Sequence, residues 1–199
     1  MMTTIIIVIT VIISMTAFNK TELLYRYQFN AYQIIKRNQW YRIITHAFLH
    51  ANWNHLIVNM IVLFFFGEAL ENYFQHYLGS STFYFIALYL CSIVFSSLYD
   101  LKKYANDFNY NALGASGATS AVVFATIFFN PWQMLYFFFV IPIPGIVFGV
   151  LYLAYSYYMN KKQADNIGHS SHFYGALFGF LFPILIKPEL FSIFLQKLF

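Results

Sequence analysis

The residues of this chain best suited to chemistry are Ser116, set in Gly114-Ala115-Ser116-Gly117, and His172, about 56 residues later, with glycines at 175 and 179. A serine hydroxyl attacks a carbonyl only when a base takes its proton. A neutral imidazole can take that proton and return it to the leaving amine. Gly114 and Gly117 permit a tight turn and close backbone approach. The following Ala118-Thr119-Ser120-Ala121 starts a helix of small side chains. Ser116 would then sit among free amide donors at the positive end of a helix dipole, where an oxyanion is stabilised. Each half also has a bland reading. Gly-x-Ser-Gly in a membrane helix commonly serves packing, and a histidine at a helix start commonly bonds a carbonyl. Gly175 and Gly179, in GxxxG spacing, let another helix come close, and His172 lies one turn before Gly175 on the same face. Two small-residue faces, each bearing half of a dyad, favour the chemical reading.

A second cluster is His46, His50, His55 and Asn59. His55 and Asn59, four apart, share a helix face and can add donors to the oxyanion. His46 and His50 precede that helix and read as structural or water-retaining residues. Glu68 and Glu71 read as architectural, with Glu71 accepting from loop amides or from Arg42. Asp165 is seven positions before His172 and outside its helix, so a two-residue dyad is expected in place of a triad. A neighbouring ring such as a tyrosine could hold the imidazole instead.

The elements that must position these residues are written in the composition. Of 199 residues 60% are hydrophobic and only 9% charged, against about 25% charged in soluble domains. The solvent for most of this surface is lipid. The net charge of +4 is scattered, with no run fit for a nucleic-acid arm. The single Cys91 excludes an internal disulfide. One membrane-embedded unit over 1-199 is expected, with helices at about 4-18, 55-74, 82-99, 116-129, 132-159 and 168-186. Residues 19-54 read as an interfacial loop and 189-199 as an amphipathic tail. The first segment reads as a membrane helix and not a cleaved signal, since no basic residue precedes it and no cleavage site follows. The fourth, at 14 residues, would span ~21 Å against the ~30 Å of a full crossing. Its first residue, Ser116, should therefore lie below the membrane surface. Pro142 and Pro144 should break or kink the fifth.

Taken together, these motifs resemble the rhomboid intramembrane serine proteases. Gln39-Trp40-Tyr41-Arg42 with Thr45-His46 and Phe48-Leu49-His50 looks like the family's loop motif. His55 to Asn59 is similar to its His-x-x-x-Asn pattern, Gly114 to Gly117 to its nucleophile motif, and His169 to Gly175 with Gly179 to its base-bearing helix. The resemblance implies an all-α polytopic membrane protein, a six-helix bundle with a short fourth helix starting inside the membrane. It implies a Ser-His dyad endopeptidase with Ser116 as nucleophile and His172 as base. His55, Asn59 and the Ser116 amide would stabilise the oxyanion, with His50, Gly114, Gly117 and Gly175 in support. It needs no metal or cofactor. Its substrates would be single-pass membrane proteins with an unstable stretch, cut in the lipid bilayer of the cell membrane at a pocket opening to the exoplasmic side.

Two features depart from the family pattern. The position one turn after the nucleophile, often an aromatic that stacks on the histidine, is Ser120. Nine basic residues fall in loops after odd-numbered segments and two in the tail, a bias that would put those loops in the cytoplasm. The resemblance puts them outside, and it is the resemblance that is followed. Three rival readings remain: a haem protein ligated by His46, His50, His55, His169 or His172, a transporter or channel, and an inactive relative that binds membrane helices. Substrate identity and oligomeric state are not written in the sequence.

Overall fold

The computed structural model describes residues 1–137, 140–165 and 167–199. Ten α-helices are present among them: α1 (Met2–Phe18), α2 (Thr21–Tyr27), α3 (Ala31–Arg37), α4 (Arg42–Thr45), α5 (Trp53–Leu78), α6 (Ser81–Lys103), α7 (Ser116–Phe129), α8 (Gly145–Lys162), α9 (His169–Ile186) and α10 (Leu190–Leu198). Three of these, α5, α6 and α9, are long and apolar enough to cross a membrane. The 19–54 segment folds into α2, α3, α4 and a 3-10 turn over His46–Phe48.

Local chemistry sets several boundaries. The Asn52 side chain accepts from the His55 amide and starts α5, and Gly79, at φ 77°, ends it. Asn30 caps α3 in the same way, accepting from Gln33 N–H. Glu71, buried on α5, accepts from the Met2 and Thr3 amides and from the Thr3 hydroxyl at 2.6–3.1 Å. A carboxylate there satisfies orphan donors and opposes the α1 dipole. The expected partners of Glu71, loop amides or Arg42, are thus replaced by the first turn of α1. Arg42 instead donates to the Tyr25 and Gln28 carbonyls and to Gln39 Oε1. With Phe18 against Trp53 at the other end (ring centroids 5.2 Å apart), α1 runs antiparallel to α5.

At the centre stands α7, where every residue from Gly117 to Phe129 is buried. A helix apolar on all sides is buried on all sides. It is enclosed by α5, α6 and α9. The approach of α9 is closest: a Cβ at Gly175 would overlap the Gly117 carbonyl, and one at Gly179 would overlap the Ala121 carbonyl. Lipid tails are as apolar as these side chains, so such a contact is held by close packing and not by water exclusion. Fourteen residues make α7 only ~21 Å long, and both of its ends need partners. At the C-terminal end Lys197, on α10, donates to the Phe129 carbonyl at 2.7 Å, a cation placed where the helix dipole favours one.

The expected helix at 132-159 is the main correction. Among the described residues from Trp132 to Pro144 there is no helix, and α8 begins only at Gly145. Met134–Phe137 (β1) and Ile141–Pro144 (β2) pair antiparallel instead, with Tyr136 opposite Pro142 and Met134 opposite Pro144. Residues 138 and 139 of that expected helix lie outside the described residues. Two prolines in three residues remove helix donors and clash with the preceding turn, whereas a two-stranded ribbon has free edges that accept them. The architecture is therefore helical with one small hairpin, and not strictly all-α.

Candidate active site

Ser116 is the first residue of α7, and its helix ladder begins with Thr119 N–H to the Ala115 carbonyl at 2.9 Å. The amides of Ser116, Gly117 and Ala118 therefore precede the ladder and remain as donors. The turn before them needs Gly114, whose φ of 121° suits glycine alone. Space demands it too: a Cβ there would lie 2.8 Å from His55 Nε2. The His55 imidazole thus lies against the backbone that leads into Ser116.

His50 holds the same turn from the other side. The Ser14 hydroxyl donates to the Phe48 carbonyl at 2.9 Å, so at 3.0 Å from His50 Nδ1 its oxygen is the acceptor. His50 Nε2 then carries the lone pair and accepts from the Ala115 amide at 3.4 Å. The two bonds fix one tautomer and tie the start of α7 to α1 and the loop. His46 bonds the Arg42 carbonyl through Nδ1 at 3.0 Å, and its own carbonyl accepts from Gly114 N–H. Burial pushes the His46 imidazole down to about 4. Burial, and then the proximity of His55, push His50 to about 3. Burial thus favours the neutral form of both rings.

Asn59 is buried one turn below His55. It donates to the His55 carbonyl at 2.9 Å, and its Oδ1 lies 3.0 Å from the Thr119 hydroxyl, whose one proton is shared with the Ser116 carbonyl at 3.2 Å. The carboxamide oxygen is thereby turned toward α7, leaving one N–H of the side chain unspent. Thr119 had no assigned role in the sequence beyond its small size. Its spacing of three from Ser116 is the signal that could have found it.

The close approach of α7 and α9 brings the Ser116 and His172 positions to one place. Gly117 lies against Gly175, and a Cβ on Gly117 would be 3.4 Å from the Ser171 carbonyl. Ser116, His172, His55 and Asn59 all line a single cavity of about 1600 Å³. The hydroxyl of Ser116 and the ring of His172 share that space without a hydrogen bond to each other, and such bonds often tighten only when substrate is bound. Around His172, the Tyr152 ring from α8 is nearly parallel to the imidazole, with 6.2 Å between centroids and 23° between planes. His169 meets it edge-on at 5.9 Å. Asp165 bonds His169 Nε2 at 3.0 Å and not His172. Asp100 on α6 accepts from Ser170 and Tyr110, both at 2.7 Å, which pins the first turn of α9. Neither Tyr152 nor Asp100 carried a motif, and Ser170 lay within one without an assigned role.

Comparisons with known proteins point to one family. A family model described as the Rhomboid domain matches residues 37–189. The chain is similar to "RHOMBOID-like protein 12, mitochondrial" of Arabidopsis thaliana, 31% identical over 152 residues, which cover 71% of this chain and 45% of that protein. It is also similar to "Rhomboid-like protein 11, chloroplastic" of the same plant, 50% identical over 32 residues, covering 16% of this chain and 11% of that one. The chain thus spans less than half the length of these curated relatives.

Proposed function

The chain belongs to the rhomboid family, and from that premise we propose that it is an intramembrane serine endopeptidase acting through Ser116 and His172. The observation that supports this reading is the contact of Gly117 with Gly175, next to the α7 serine and one turn from the α9 histidine, with both residues lining one cavity. Ser116 Oγ attacks the scissile carbonyl carbon while His172 takes its proton. The carbonyl oxygen becomes an oxyanion, held by the Ser116 amide, the His55 ring and the unspent N–H of Asn59. Collapse of the intermediate expels the amine, which takes the proton from His172. Water then repeats the sequence on the acyl-serine and releases the acid.

The cavity lies between α5 and α8, with Val58, Val62 and Phe65 on one wall and Phe148, Tyr152 and Tyr155 on the other. Its polar rim and apolar walls suit a chain entering from lipid. The substrates proposed are single-pass membrane proteins whose helix unwinds near the site, since a peptide bond in a regular helix is shielded by its own hydrogen bonds. Six spans are proposed, formed by α1, α5, α6, α7, α8 and α9, in a cell membrane with the site opening to the exoplasmic side. The haem reading loses His50, whose ring nitrogens are both engaged.

Purified protein with a fluorogenic membrane-helix substrate in detergent tests the proposal. Wild type should cleave it, and Ser116→Ala and His172→Ala should each abolish cleavage while keeping the helical fold. A fluorophosphonate should label wild type and fail on Ser116→Ala. Retained cleavage in either variant would overturn the dyad.

A further inference from the structure

Tyr152 has more contacts at the site than a gap-filling ring requires. Its hydroxyl is 2.6 Å from Ser120 Oγ on α7. Its ring stacks on Phe148, one turn earlier on α8 (5.6 Å, 29°), and is tilted against Phe124 of α7 (5.6 Å, 50°). The remaining face is the one presented to His172. A tyrosine clamped at its hydroxyl and along its body has few rotamers left, so the imidazole beside it has a fixed wall and not a mobile one. Among the described residues His172 has little else to orient it. Asp165 is engaged by His169, and His169 itself meets His172 only edge-on. Ser120 completes the device. It lies one turn after Ser116 on α7, and a larger side chain there would occupy the place of the Tyr152 hydroxyl.

Resting on the dyad reading, we propose that Tyr152 is the positioning residue for the His172 imidazole, locked in place by the Ser120 hydroxyl. The base is then oriented by a ring from α8, a helix that also walls the cavity, and not by a residue of the helix that bears the nucleophile. Tyr152 touches no reacting atom in this scheme. It acts by limiting the ring angles His172 can adopt, and misplacing a catalytic group by about 1 Å can cost as much as a hundredfold in rate.

The test uses the full chain in detergent with the fluorogenic helix substrate, measuring kcat and KM separately along with the thermal midpoint. Tyr152→Leu should lower kcat about ten- to a hundredfold with KM changed less than about twofold, the pattern of an interaction that matters in the transition state. Tyr152→Phe, which keeps the stacking ring, should retain kcat within about threefold of wild type, the size expected for losing one neutral hydrogen bond. Ser120→Ala should match Tyr152→Phe, and the double variant should be no worse than either, since all three lack the same bond. Wild-type kcat in Tyr152→Leu would overturn the proposal. Equal losses in Tyr152→Leu and Tyr152→Phe would also overturn it, because the hydroxyl and not the ring would then be at work. Should Tyr152→Leu fail to fold, Tyr152→Met serves in its place with the same expected loss. Ser116→Ala and His172→Ala run alongside: if these stay active the dyad itself fails, whereas inert dyad variants beside an unaffected Tyr152→Leu sink only the positioning role.

Discussion

At the residue scale the site is a set of groups each held by a second group, and the holders are the less obvious half. The Asn59 carboxamide oxygen faces the Thr119 hydroxyl, whose single proton it shares with the Ser116 carbonyl. Removing the donor, as in Asn59→Ala, should lower kcat about ten- to a hundredfold, somewhat less than or equal to the loss of a principal oxyanion donor. Thr119→Val keeps the shape and frees the carboxamide to turn, so it should give a smaller loss in kcat with KM unchanged. Equal rates for Thr119→Val and wild type would show that Asn59 needs no such aim. The histidines of the loop make a different prediction. His46 and His50 stay neutral in the fold, pushed by burial to about 4 and about 3 from the ordinary 6.5. The unfolded chain therefore binds more protons than the folded one below 6.5, and stability must fall as acid is added. The thermal midpoint should be flat above pH 6.5 and drop progressively from there toward pH 4. In His50→Asn the midpoint should start lower, because the bond to Ala115 is weakened, and then fall less steeply. A midpoint that ignores pH across that window would contradict the burial of both rings.

At the element scale the decisive contact is α7 on α9. A side chain at Gly179 would strike the Ala121 backbone, which has no rotamer by which to move aside. Gly179→Val should therefore push the helices apart, costing about 1–3 kcal/mol or more and reducing cleavage through the lost alignment of Ser116 with His172. Unfolding in detergent, followed by circular dichroism, reads the first effect, and the fluorogenic assay reads the second. A stable, fully active Gly179→Val would mean that the two helices do not need this contact. Much of this pair was legible in the sequence, because small residues at helical spacing state which faces can touch. The start of α7 was legible for a related reason: glycine before a serine and a run of small apolar residues allow few conformations. The hairpin was not, because Pro142 and Pro144 interrupt an apolar run that periodicity alone reads as a kinked helix. Tyr152 and Ser14 were not either. Tyr152 bonds Ser120 across 32 positions of sequence and Ser14 bonds His50 across 36, and nothing local marks a tyrosine or a serine on an apolar helix for such a contact.

At the scale of the whole molecule the helix directions decide where the charges gather. Both α7 and α9 start at the site, α8 runs back toward it with Tyr152 beside Ser120, and α6 ends there with Asp100 on Ser170. The basic residues of the 19–54 segment, Lys102 and Lys103, and Lys161 and Lys162 thus lie at the site end, while Lys187 and Lys197 lie against Tyr77 at the other. By loop charge alone the site would face the cytoplasm. Five of the nine are not free loop charges, however. Arg42 is buried among carbonyls and over the Tyr41 ring, and Arg26, Lys103, Lys161 and Lys162 each lie 4.5–5.9 Å from the centre of a tyrosine ring. Cations laid on aromatic rings belong to the headgroup boundary, where a long side chain covers apolar surface and keeps its charge wet. A cation so placed is a weaker vote on translocation than a charge in a free loop, but Lys197 at the other end lies over the Tyr77 ring as well, so the loop-charge bias survives the discount and the proposed exoplasmic orientation rests on the family resemblance. Labelling with a membrane-impermeant maleimide decides the matter. In a Cys91→Ala background, Asn106→Cys at the site end should react on intact cells, and Ser192→Cys on α10 should react only after permeabilisation. The reverse pattern would put the cavity on the cytoplasmic side, restrict the proposed substrates to chains that unwind there, and show that these ring-bound cations set the topology after all.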